Sequence, residues 1–221
     1  VGVHADTQTR AARLHSVIVA ASYAADMEAS QEATGAPTEF RDAVAALRAT
    51  RLRQAITLEE IPAPRRLASY ATAFAAEVVE EDRELASGRL VLLHEPTGHE
   101  AWQGTFRLVT LARAELEPEM AADPLLPEVG WAWLIDALAD GGVRFTEPSG
   151  TVTRCTSQSF GGLADRPLLT EIEVRASWTP LDDDWAGNLR AWSELLCAAA
   201  GLPPLPPGVA TMPGRRATRD N

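Results

Sequence analysis

From Thr170 to Trp178 the chain alternates without a break. Ile172, Val174, Ala176 and Trp178 are apolar, whereas Glu171, Glu173, Arg175 and Ser177 are charged or polar. Period-two alternation sends successive side chains to opposite faces of a strand, so this segment belongs to a sheet with one face on a core and the other in water. Sheets of that kind are antiparallel or mixed, with helices on one side only. A doubly wound parallel sheet, apolar on both faces, does not fit.

The neighbouring segments are consistent with that constraint. Arg89 to His94 is a compact apolar strand, Pro96-Thr97-Gly98 reads as a turn, and Trp102 to Glu117 is a long β-type run. A hairpin is expected there, with His94 and His99 brought close across it. Two more strands are expected near 143–147 and 150–160, divided by a turn at Glu147-Pro148-Ser149-Gly150. Four segments carry helical spacing instead. In the first, Phe40, Val44 and Leu47 lie between Glu39 and the Arg51/Arg53 pair, the charge order that a helix dipole favours. In the second, Pro64 stands at a first-turn position, and Leu67, Ala71, Phe74 and Val78 form a stripe ended by Ser87-Gly88. A short helix from about Gly130 to Ala139 carries Trp131, Leu134, Ile135 and Leu138, and a last one from about Asp182 to Ala200 carries Trp185, Leu189, Trp192 and Leu196.

The expected fold is α+β, an antiparallel or mixed sheet of about five strands covered by helices, over residues 39–201. Residues 1–38 read as an extension, with the native start expected at Met27, and 202–221 as a Pro-rich strap and a frayed tail. The formal charge of −11 opposes nucleic acid and anionic membranes, since binding either needs clustered cations. All 20 cations are arginine, so Schiff-base chemistry on lysine is excluded. Cys155 and Cys197 read as free thiols of a cytoplasmic protein.

The words EEIPAPRRLASYA, GRLVLLHEPTGHEAWQGTFRLVTLARAELEPEMAADPLLPEVGWAWL, PSGTVTRCTSQSFGGL, EIEVRASWTP and AGLPPLPPGV stand in this order between about residues 39 and 216. They resemble the uncharacterised actinobacterial family known as domain of unknown function 3000. The resemblance implies a cytoplasmic bacterial protein and a start near Met27. It brings no activity, substrate, cofactor or catalytic residue with it.

No complete catalytic constellation is present, so the leading expectation is a non-catalytic binding protein for a protein or small-molecule partner, without a cofactor. His94 and His99, with Glu95 and Glu100 beside them, are candidate metal ligands that lack a third partner at fixed spacing. Thr151, Thr153, Cys155, Ser157 and Ser159 share one strand face ahead of Gly161-Gly162, either as a pocket floor or as a solvated hydroxyl ladder. Arg107, Arg113, Arg154 and Arg175 lie on expected strands with Glu115, Glu171 and Glu173, as in a cross-strand ion-pair ladder. Convergence of Arg107 and Arg154 would instead make an anion site, used by an enzyme or sensor for a small anionic metabolite. Trp131, Trp178, Trp185 and Trp192 fall at core phase, whereas Trp102 and Trp133 do not and are candidates for a binding face. Asp182-Asp183-Asp184 reads as a helix N-cap.

Overall fold

A computed structural model describes residues 35–64 and 66–204. Most of the expected N-terminal extension, the Met27 start, and the strap and tail from residue 205 onward lie outside the described residues. The chain divides into two compact units, Val1–Arg41 and Asp42–Asn221. In the described part of the first, the Pro37 carbonyl accepts from the Arg41 amide at 3.1 Å.

The element order is α1 (Thr38–Ala49), β1 (Ile56–Ile61), β2 (Tyr70–Glu80), β3 (Arg83–His99), a 3-10 turn (Glu100–Trp102), β4 (Gly104–Glu115), α2 (Pro118–Ala121), α3 (Leu126–Asp140), β5 (Phe145–Ser157), a second 3-10 turn (Gly161–Leu163), β6 (Leu169–Pro180) and α4 (Trp185–Ala199). The strands form one antiparallel sheet in the order β1-β2-β3-β4-β6-β5. The expected α+β class therefore stands, with six strands where about five were counted.

The additional sheet structure comes from the segment read as a second helix. Ala71, Phe74 and Val78 do sit at helical spacing, but Tyr70–Glu80 is β2, and Arg83–Ser87 opens β3. Composition explains the outcome. Pairing with β1 and β3 holds the segment as a strand, while its open face carries Ala71, Ala73 and Ala75, small apolar residues that hide the period-two signal. The hairpin tip also differs from expectation. It is the Glu100–Trp102 turn with Gln103 in the left-handed region, whereas Pro96-Thr97-Gly98 lies within a register break of β3 between His94 and His99. The two strands expected near 143–160 are one strand, β5, broken by a bulge between Thr146 and Ser149.

α3 and α4 pack on each other and on one face of the sheet. Leu90, Leu92, Leu108, Ile172, Val174 and Trp178 rise from the strands to meet Leu134, Leu138, Leu189, Trp192 and Leu196, all essentially excluded from water. Each such side chain contributes about 1.5–3 kcal/mol on burial. Two of the three buried indoles, Trp178 and Trp192, place their only polar atom on a partner. Trp178 Nε1 donates to Asn188 Oδ1 at 2.7 Å, and Trp192 Nε1 donates to Thr110 Oγ1 at 2.6 Å. α4 starts as its sequence predicts, with Asp184 Oδ1 accepting from the Gly187 amide at 2.8 Å. Among the described residues no helix is long and apolar enough to cross a membrane.

Candidate anion site on the open face of the sheet

The strand registers place every second residue on the sheet face away from α3 and α4. Across the sheet one row runs Ile61, Ala73, Val91, Val109, Ser177, Ser149, and the next runs Glu59, Ala75, Arg89, Leu111, Arg175, Thr151. The first row is apolar as far as β4 and turns to hydroxyls on β6 and β5, whereas the second carries Arg89 on β3 and Arg175 on β6 either side of Leu111. A shallow depression of about 570 Å³ follows this boundary, lined by Arg89, Val91, Val109, Leu111, Ser149, Thr151, Arg175 and Ser177.

Arg107 does not line the depression but lies directly behind Ser149 and Ser177 at its edge. Its alternation with Phe106 and Leu108 on β4 points it to the open face, yet it is only 6% exposed. Nη1 donates to Thr179 Oγ1 at 2.9 Å, and Nη2 donates to Ser177 Oγ at 2.8 Å, Ser149 Oγ at 3.0 Å and the Ser177 carbonyl at 3.3 Å. Thr179 Oγ1 passes its own proton to the Trp102 carbonyl at 2.7 Å. Among the described residues, Arg107 forms no ion pair with a carboxylate. Burial pulls its pKa down, and the field of Glu147 partly restores it. The guanidinium nevertheless remains charged at physiological pH.

Ser149 reaches Arg107 because of the bulge in β5. Glu147 adopts φ +51°, a left-handed conformation costly for a side chain with a Cβ, and Pro148 follows it. The strand then resumes with Ser149 opposite Ser177, their hydroxyls 3.3 Å apart. A bulge beside a site commonly serves to re-aim one side chain, as here. Each serine hydroxyl accepts from the guanidinium and one donates to the other, so one proton is left over as a polarised donor at the edge of the depression. Neither hydroxyl has an imidazole or carboxylate as hydrogen-bond partner among the described residues.

The other arginines separate into distinct roles. Arg113 and Arg175 share Glu173, Arg113 Nε across the strands at 2.6 Å and Arg175 Nη2 along β6 at 2.5 Å, so one rung of the expected cross-strand ladder forms. Arg154 does not converge with Arg107. It sits opposite Ile172 on the helix-side face, where Nη1 donates to the carbonyls of Ala121 at 3.0 Å and Asp123 at 3.2 Å and ties β5 to the α2–α3 connection. Arg89 is exposed, and no ion pair to it occurs among the described residues.

The hydroxyl row also divides. Thr151 lines the depression, but Ser157 ends β5 opposite Leu169, and Ser159 and Gly161 lie in the β5–β6 connection, away from the lining. Gly161 has φ +61° and opens the second 3-10 turn, which accounts for a glycine there. Ser149, Ser177, Thr179 and Arg89 were not picked out as site residues by sequence reasoning. The available signal was the Glu147-Pro148 pair, which reads equally well as a turn.

The remaining candidates are structural. His94 is fully buried on the helix side, stacked on Phe106 at 4.1 Å, with Nδ1 3.1 Å from the Thr105 carbonyl. His99 follows the register break and stacks on Trp102 at 4.6 Å. The two histidines therefore share one strand rather than facing each other across a turn. No group of three or more His, Cys, Asp or Glu suited to a metal ion occurs among the described residues. Trp102 and Trp133 are half-buried on separate elements and do not form a common exposed face. Cys155 is an exposed free thiol on β5, while Cys197 is buried in α4, where desolvation pushes its pKa up to about 11 and keeps it protonated.

No curated protein and no solved structure matches this chain. The profile of one family, described as "Protein of unknown function (DUF3000)", matches residues 36–210, so the resemblance carried by the sequence words holds and the chain belongs to that family.

Proposed function

We propose that the protein is a non-catalytic binding protein that takes a small anionic ligand on the open face of its sheet, with Arg107, Ser149 and Ser177 holding the charged end. One observation carries this reading. Arg107 is buried against three hydroxyls and a carbonyl, with no ion pair among the described residues. A cation taken out of water loses several kcal/mol of solvation, and neutral oxygens satisfy its donors without cancelling its charge. An anion resting on the Ser149 and Ser177 hydroxyls would supply the missing charge. Arg89 and Arg175 line the depression and, among the described residues, no carboxylate does, so its lining is cationic in a chain whose net charge is −11.

The absence of a base on either serine among the described residues favours binding over catalysis. In this reading the protein is cytoplasmic, which the free thiols Cys155 and Cys197 support. The test is a titration of ¹⁵N-labelled protein with sodium phosphate and sodium benzoate in sulfonate-buffered, chloride-free solution. Saturable shifts at Ser149, Ser177 and Arg107, lost in Arg107→Met, are expected. Shifts scattered over the surface, or unchanged in Arg107→Met, would overturn the proposal.

A further inference from the structure

We infer that the ligand is a planar aromatic carboxylate, an inference that rests on the anion-binding reading above and adds the chemistry of the ligand's body. Three features of the depression lead there. The first is its polarity gradient. From β5 to β3 it spans three strand spacings, roughly 14 Å, beginning at Ser149 and Ser177 and ending over Val91, Val109 and Leu111. A ligand that fills it therefore has one anionic end and one apolar body. A purely polar polyanion would leave the valine and leucine floor in contact with charge, and a hydrocarbon alone would leave Arg107 uncompensated.

The second feature is shape. The floor is the surface of a sheet, nearly flat, and the depression is shallow and open above. A flexible acyl chain laid on such a floor loses rotamer freedom while burying only its underside. A rigid ring system gains the same contact with no internal freedom to lose, which is how aromatic groups bind well on open surfaces.

The third feature is what flanks the floor. Arg89 and Arg175 occupy the same row on either side of Leu111, and both are exposed. Arg175 is held by Glu173, but Arg89 has no ion pair among the described residues, leaving its guanidinium plane available to fold over the depression. Guanidinium planes stack on aromatic faces, so Arg89 would cover a ring whose other face lies on Val91, Val109 and Leu111. A single carboxylate matches the head. Arg107 contributes one buried charge, and the Ser149–Ser177 pair, which shares one proton between its two oxygens, leaves one hydroxyl donor for the head, so a singly charged group suffices.

Isothermal titration with four probes tests this: 2-naphthoate, octanoate of similar length and equal charge, neutral 2-naphthalenemethanol, and inorganic phosphate. Expected is 2-naphthoate binding about tenfold tighter than octanoate or phosphate, with Arg89→Ala weakening it about fivefold and weakening phosphate by no more than about twofold through the lost charge. Arg89 is an exposed side chain, so this variant should fold, and its melting temperature checks that. Octanoate equal to or tighter than 2-naphthoate, or Arg89→Ala without effect, would overturn the aromatic assignment while leaving the anion site intact. The neutral alcohol binding as well as 2-naphthoate, or none of the four binding, would overturn both.

Discussion

At the scale of single residues, Arg107 separates what holds the fold from what the site requires. Replacing a buried, unpaired cation by an apolar side chain of similar length removes a desolvation penalty as well as hydrogen bonds. After Arg107→Met, Ser149 and Ser177 remain in contact and Thr179 keeps the Trp102 carbonyl. We therefore expect urea unfolding to show a stability change of less than about 1 kcal/mol, alongside complete loss of anion binding. A loss of several kcal/mol would mean that the guanidinium is structural. The sequence made part of this site legible. Arg107 stands out as an arginine on a strand of otherwise apolar neighbours, but its partners come from β5 and β6, some 40 to 70 positions away. Nothing local to Phe106-Arg107-Leu108 says which hydroxyls will arrive. Arg154 follows the same rule: alternation puts it on the face of Val152, but only pairing with Ile172 on β6 turns that face to the helices.

At the scale of elements, legibility followed exposure. β6, with one wet face, and α4, with its aspartate cap and indole stripe, are readable at nearly their full extent. β2 is not, since the alanines on its open face leave no polar–apolar alternation, and its Ala and Glu content favours helix locally. The connection into β2 offers a pH-dependent test. Glu95 accepts from the Ser69 hydroxyl at 2.8 Å and its amide at 3.3 Å, and these bonds, the hydroxyl foremost, hold its carboxyl below the ordinary glutamate range. A depressed folded-state pKa means that the contact favours the fold at neutral pH and is lost as pH falls through the depressed value. In an NMR titration the Ser69 amide should follow the Glu95 carboxyl, and Ser69→Ala should move that midpoint upward. A midpoint unmoved by Ser69→Ala would show that the bond is not formed in solution.

At the scale of the whole molecule, one layer of helices on a six-stranded sheet leaves protection graded from the middle outward. β3 and β4 are paired on both sides and meet α4, whereas β1 and β5 are edges. Native-state hydrogen exchange should be slowest in Leu90–Leu92 and Leu108–Thr110 and fastest in β5. Equal protection of β5 and β4 would mean that something pairs with the edge. The β5 bulge has a consequence for the tolerance of the chain to length changes. Thr146 pairs with Thr179 and Ser149 with Ser177, so β5 spends three steps where β6 spends two. Deleting Pro148 alone would restore one-to-one counting, with Glu147 opposite Trp178 and Ser149 still opposite Ser177, so Thr151 and Val152 would keep their faces. Val152 would stay beneath Gly130, so circular dichroism should report a folded chain, and loss of the fold would mean that the bulge itself is required. A shortening by one residue is absorbed here, where the strand already carries one residue more than its partner.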